Sequence, residues 1–247
     1  MENKEVDKLK TKFLNYTNEV LEGGYIIPNR HEKAFKSLLN AFSENKLGVL
    51  MYGNPGSGKT FPFEVMLRLI HPQSPRKFIK KNALEIVVDF NENGHSVLNK
   101  YNKTSVLYDD LGTEGKGKFY GDTIETFEKI IQFRYDLFRE KGFKTHFTTN
   151  LSLKQIESRY GARCYSRLFE MVEIIPWGMD KDYSDNRKLR NFKGFPPIQH
   201  PKIMSKEDKE YFEAYEKLKK HNQEMNKSTS GKGLGQRFKE QLGFTNE

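Results

Sequence analysis

The segment Gly53-Asn54-Pro55-Gly56-Ser57-Gly58-Lys59-Thr60 sets three glycines, a lysine and a hydroxyl in one short run. Glycine adopts positive φ and allows close backbone approach, so consecutive N–H groups can converge as an anion nest. If a helix opens at the end of the run, its N-terminus adds a field that favours phosphate. The spacing G-x-x-x-x-G-K-[ST] gives Lys59 the reach of the β- and γ-phosphates of a nucleotide, and Thr60 a hydroxyl for magnesium. Average residue usage makes a chance match in a chain this long about 1%. ATP and Mg2+ are the expected cofactors.

A second constellation lies about fifty positions on. In Ser105–Gly112, "SVLYDDLG", an apolar run ends in Asp109 and Asp110. A carboxylate at the end of a strand beside the phosphate loop suits magnesium, and Asp109 takes that role. Asp110, next in line, suits a general base that orients the attacking water. Thr148, Thr149 and Asn150 end another apolar stretch. Asn150 suits a water-positioning or γ-phosphate-sensing amide, and either Asn150 or Ser152 also suits a helix N-cap. Arg163 and Arg167 stand four apart, on one helical face one turn from each other. Like charges so stacked call for an anion: a carboxylate of the same chain, a nucleic-acid phosphate, or a nucleotide held by another molecule.

These groups need elements to position them. Short apolar runs at 47–53, 77–81, 105–110, 145–150 and 172–177 read as strands. Helical periodicity covers 5–22, 31–46, 59–71, 83–101, 119–141 and 153–170. Strand and helix alternate with connections long enough for crossovers, which is the pattern of a parallel sheet covered by helices on both faces. The phosphate loop then follows a strand and opens a helix, as its chemistry requires. Beyond Trp177 the regular pattern lapses, 206–226 reads as a charged helix, 226–235 ("NKSTSGKGLG") as a flexible link, and 236–244 as one last short helix.

The 247 residues suffice for one large α/β domain with an appendage. Hydrophobic content is 36%, but 19 Phe and 12 Tyr supply apolar mass that argues against global disorder. The net charge of +9 favours anionic partners, with a merely lysine-rich surface as the plain alternative. A single cysteine, Cys164, excludes an intrachain disulfide and a cysteine metal site, and its surroundings suit packing. With no apolar leader and no run long enough to span a bilayer, the expectation is a cytoplasmic protein without membrane contact.

Taken in order, "YIIPNR", "GNPGSGKT", "SVLYDDLGTE", "TTNLS" and "YGARCYSRLFEM" resemble the AAA+ ATPases, within them the bacterial helicase-loader and transposition-helper (DnaC/IstB-like) group. The resemblance covers roughly residues 24–190. It implies a five-stranded P-loop NTPase domain over 24–195 without a full C-terminal lid. An N-terminal helical segment, 1–23, and a helical tail with its link, 196–247, flank it. It further implies Walker B at Asp109, Asp110 where most such proteins carry a catalytic Glu, sensor 1 at Asn150, and an arginine finger at Arg167 with Arg163 in support. Ile27 matches the linker that lies against adenine, and Arg187 more loosely a late arginine that reaches the nucleotide in cis. The segment 83–101 resembles an added helical element that helps to grip single-stranded DNA. Beside it Arg76, Lys77, Lys80 and Lys81 suit phosphate contacts or, alternatively, a strand edge blunted by lysines.

The function so implied is an oligomeric, ATP-hydrolysing, DNA-associated protein that loads a replicative helicase. A transposase helper of the same group, or a nucleotide-dependent scaffold with slow turnover, are the alternatives. The partners expected are further copies of the chain sharing ATP between subunits, single-stranded DNA, and a helicase or transposase.

Overall fold

A computed structural model of the chain describes residues 4–21, 25, 27, 31–74, 76–119 and 122–178. Two helices lead, α1 (Lys4–Val20) and α2 (Glu32–Glu44), followed by strand β1 (Gly48–Tyr52) and helix α3 (Thr60–Leu69). Then come β2 (Phe78–Asn82), α4 (Ala83–Asn93), α5 (Ser96–Lys100) and β3 (Ser105–Leu111). A small hairpin, β4 (Gly117–Phe119) and β5 (Asp122–Ile124), precedes α6 (Thr126–Lys141). Finally β6 (Thr145–Thr149), α7 (Leu153–Met171) and β7 (Val172–Pro176) complete the described elements. The chain divides into two units, residues 1–70 with 76–201 and residues 71–75 with 202–247, and every element above belongs to the first. Arg187 and the tail 196–247 lie outside the described residues.

The main sheet has five parallel strands in the order β2-β3-β6-β1-β7. Because side chains alternate across a strand, each strand feeds two cores. Leu50, Val106, Tyr108, Phe147 and Val172 face one side, against Phe90 of α4, Ile131 of α6 and Leu168 of α7. Val49, Met51, Phe78, Leu107 and Ile175 face the other, against Phe13 of α1, Leu38 of α2 and Phe63 of α3. Coverage on both faces explains why β1, "GVLMY", is apolar almost throughout. The five expected strands are all present to within a residue or two.

Two expected helices differ. The stretch 83–101 divides at Gly94, whose φ of 58° ends α4 as its N–H donates to the Phe90 carbonyl at 2.7 Å. The helix expected from 119 starts at Thr126 instead, because 117–124 pairs as the β4–β5 hairpin. Phe119 is turned onto Phe90, ring centroids 6.0 Å apart, so the hairpin gains an apolar anchor that helical periodicity does not reveal.

At the N-terminal edge of the sheet, Arg134 of α6 is 1% exposed. Its Nε donates to Thr145 Oγ1 at 2.8 Å, and its Nη atoms to the carbonyls of Tyr101, Thr104 and Lys144 at 3.0–3.1 Å. A buried guanidinium thus ties together the starts of β3 and β6 through neutral acceptors alone.

Candidate nucleotide site

All five strands point one way, so the loops after β1, β3 and β6 gather at one edge of the sheet, where open α/β sheets bind ligands. The glycine run is the loop after β1. Gly56 and Gly58 take φ of 78° and 81°, the left-handed region open to glycine. Gly53 is required for a different reason: a Cβ there would stand 1.7 Å from the Trp177 carbonyl oxygen.

Lys59 folds back into its own loop. Its Nζ donates to the carbonyls of Gly53 at 3.0 Å and Asn54 at 2.8 Å, and to Asn150 Oδ1 at 2.7 Å. Burial pulls its pKa down to about 8, against the Asp110 and Asp109 carboxylates, which raise it. Thr60, at the start of α3, donates its hydroxyl to Asp109 Oδ1 at 2.8 Å. Loop, acidic strand and amide strand therefore converge on one place, as their spacing in the sequence leads one to expect.

Asp109 and Asp110 sit at an irregularity absent from the sequence reading. Tyr108 pairs with Phe147 and Leu111 with Thr149, so Asp109 and Asp110 together oppose Thr148 alone. This is a β-bulge, which re-aims side chains next to functional sites. Asp110 takes φ of 59°, a conformation that aspartate tolerates better than most residues. Its stranded N–H donates to Thr148 Oγ1 at 2.9 Å, and that hydroxyl donates to Asp109 Oδ1 at 2.5 Å. Thr148 thereby fixes the Asp109 carboxylate and the Asp110 backbone, a role its neighbours in the sequence do not announce. The Asp110 carboxylate makes no hydrogen bond or ion pair among the described residues. Burial first, then the Asp109 charge, raise its pKa, while Lys59 and Lys80 oppose the rise.

Ser152 is the N-cap of α7, with a capping box to Gln155, which leaves the Asn150 amide free for Lys59. Behind the loop after β3, Glu114 is buried and its carboxylate accepts the Gly112 N–H at 2.7 Å and the Tyr160 hydroxyl at 2.5 Å. Arg159 pairs with it at 3.2 Å and donates to the Gly112 carbonyl at 2.6 Å. Glu114 is thus fully engaged as a clamp between this loop and α7.

Trp177 also went unforeseen. It is 1% exposed, its indole Nε1 donates to the Ser57 carbonyl at 3.0 Å, and its own N–H continues β7 onto the Tyr52 carbonyl at 2.8 Å. The apolar ending of β7 was visible in the sequence, but not that its last ring props the phosphate loop. Trp177→Phe should lower stability by about 1–3 kcal/mol in urea melts, the cost of losing a buried hydrogen bond and its packing, and should weaken nucleotide binding in the same preparation.

The other expected site residues lie on further segments of the chain. Tyr25 stacks on Phe61, ring centroids 5.2 Å apart, and Ile27 packs into the same core, while Ile26 and Pro28 lie outside the described residues. Arg163 is exposed on α7. The Arg167 guanidinium lies over the Tyr135 ring at 5.1 Å, and its Nη1 is a buried atom without a hydrogen-bond partner among the described residues. Because β6 and β7 run parallel, α7 must return from the loop edge to the opposite edge. Arg167, about one turn before β7, is consequently remote from its own chain's phosphate loop.

Strand alternation sends Lys80 and Lys81 of β2 to opposite faces of the sheet. Lys77 Nζ donates to the Leu67 carbonyl at 2.7 Å, and Lys81 lies 5.6 Å from the Tyr101 ring centroid. Lys80 turns into the site, 2.5 Å from Glu64 and 3.2 Å from Asp109. Among the described residues no helix is long and apolar enough to cross a membrane.

No protein-family model and no curated protein matches the sequence. Among solved structures, the chain is similar to the DnaC helicase loader, at 18% identity over 66% of this chain and 98% of that one, with a TM-score of 0.49. It is similar to DnaI at 19% identity, over 68% of this chain and 93% of that one, with a TM-score of 0.46. It is also similar to a replication initiator DnaA bound to AMPPCP and single-stranded DNA, at 14% identity, over 92% and 69% of the two chains, with a TM-score of 0.49. The parallel sheet, with its glycine loop between β1 and α3 and its acidic bulge on β3, has the α/β fold of a P-loop NTPase.

Proposed function

We propose that the chain is an ATP-hydrolysing AAA+ protein that works as a homo-oligomer on single-stranded DNA and loads a replicative helicase. The observation that carries the ATPase reading is the convergence of Lys59, Thr60, Asp109 and Asn150 through direct hydrogen bonds. The helicase-loader reading rests on the ordered motif series, and the net charge of +9 suits an anionic partner.

The donors fit a divalent ion: Thr60 and Asp109 are hard oxygen ligands already in contact, and among the described residues no group of three or more His, Cys, Asp or Glu forms a dedicated cage. Such a set suits magnesium delivered on phosphates. When bound, magnesium neutralises charge that develops on the β- and γ-phosphate oxygens. The protein's own groups do the rest. Lys59 exchanges its carbonyl partners for phosphate oxygens. Asp110, raised by burial and free of partners, accepts a proton from the attacking water, which the released Asn150 amide orients.

Wild-type protein should bind and hydrolyse ATP, faster with single-stranded DNA, and Lys59→Ala should do neither. Absence of ATP binding by the wild type would defeat the proposal. Copurification with a helicase and not a transposase tests the choice of client.

The pH dependence follows from Lys59. Phosphate beside the ammonium favours its charged form and raises a pKa that stands at about 8 in the free protein. Binding above that pH takes up a proton, so affinity falls as pH rises through about 8. Calorimetric titrations just above that pH, in two buffers of different ionisation enthalpy, should report net proton uptake, and Lys59→Arg should abolish it.

A further inference from the structure

Lys80 comes from the edge strand, yet its ammonium lies inside the site. In the register of β2 on β3, Lys80 pairs with Leu107 and Asn82 with Asp109, so Lys80 and Asp109 project to one face of the sheet. On that face Glu64 stands one turn beyond Thr60 along α3. The Lys80 Nζ bridges the two acids, 2.5 Å from Glu64 Oε1 and 3.2 Å from Asp109 Oδ2. The other Asp109 oxygen accepts the hydroxyls of Thr60 at 2.8 Å and Thr148 at 2.5 Å. Asp109 is thus committed on both oxygens, one to hydroxyls and one to an ammonium.

The exposure of these side chains, 7% for Asp109, 27% for Glu64 and 30% for Lys80, limits screening by solvent. Two carboxylates held to one ammonium repel each other as soon as that ammonium is removed. We propose that Lys80 is the resident cation of the Glu64–Asp109 pair, balancing it while no nucleotide is bound, so that the free protein takes up no divalent ion by itself. This rests on reading Asp109 as the metal carboxylate. Lysine suits the task because its ammonium is a compact charge on a flexible stem. It can retire to Glu64 when a cation carried by phosphate reaches Asp109, which makes metal and nucleotide arrive together.

The test uses Mn2+ and electron paramagnetic resonance on the full chain without nucleotide. Wild type and Lys80→Arg should leave Mn2+ free in solution. Lys80→Met should bind it at least about tenfold more tightly, since two acids then lack a counter-charge. Lys80→Met combined with Glu64→Gln should lose that gain. Lys80→Gln serves in the same titration if the Met variant does not fold. Equal Mn2+ affinity in wild type and the Lys80 variant overturns the proposal, as does stoichiometric Mn2+ on nucleotide-free wild type, which needs no variant. Because no arm contains nucleotide, a failure of ATP binding would leave these titrations readable and would count against the ATPase reading alone.

Discussion

Arg167→Ala should leave ATP affinity within about twofold of wild type while reducing hydrolysis by about 10³–10⁵, the contribution of an arginine supplied in trans in P-loop enzymes. The first half follows from placement: α7 carries Arg167 to the sheet edge opposite the phosphate loop, where its guanidinium lies on Tyr135. The second half follows from chemistry. This guanidinium lies over a neutral ring and has no carboxylate within ion-pair distance among the described residues, so its charge is not neutralised there. In the proposed homo-oligomer, the anion that neutralises it would be the nucleotide of a second copy. Mixing Arg167→Ala with Lys59→Ala should then restore part of the activity, because each defect sits in a different half of a shared site. Multiple-turnover assays on the single variants and the mixture decide the matter. No recovery on mixing, with both variants still assembling, would refute a shared site.

Glu114→Ala should cost about 3–5 kcal/mol in chemical denaturation, the expected loss when one member of a buried charged pair is removed. Three donors would lose their acceptor at once: the Gly112 N–H, the Tyr160 hydroxyl and Arg159. Glu114→Gln keeps an acceptor of the same shape and should lose much less. The effect should also reach turnover, because Gly112 directly follows the Asp109–Asp110 bulge and Leu111, and its loop would lose its tie to α7. A Glu114→Ala protein of wild-type stability would show that the cluster is not clamped as described.

The difference between what spacing reveals and what it hides has a physical basis. Phosphate binding requires backbone conformations that few residues other than glycine adopt, so Gly56, Gly58 and Lys59 advertise themselves. Strands covered on both faces must be apolar, so "GVLMY" was legible, and so was "SVLYDDL" with its carboxylate end. The bulge was not, because Asp110 takes its left-handed conformation without a glycine to mark it. The reversal at Lys80 was hidden because a lysine in an edge strand looks the same whether it faces water or two acids. Glu114 and Trp177 act through partners 45 or more positions away in the chain, Tyr160 and Arg159 for the one and Ser57 for the other, and no local pattern encodes such pairs. The β4–β5 hairpin escaped because its residues are few and its anchor, Phe90, belongs to another element.

Trp177 is the chain's only tryptophan, and its indole is bonded to a carbonyl of the phosphate loop. Fluorescence excited selectively in tryptophan therefore comes from a single position, where the end of β7 is bonded to the phosphate loop. The protein carries its own optical reporter. Emission intensity or wavelength in stopped flow would follow loop rearrangement in unlabelled protein, separately from release of inorganic phosphate, and so show which of the two limits the cycle.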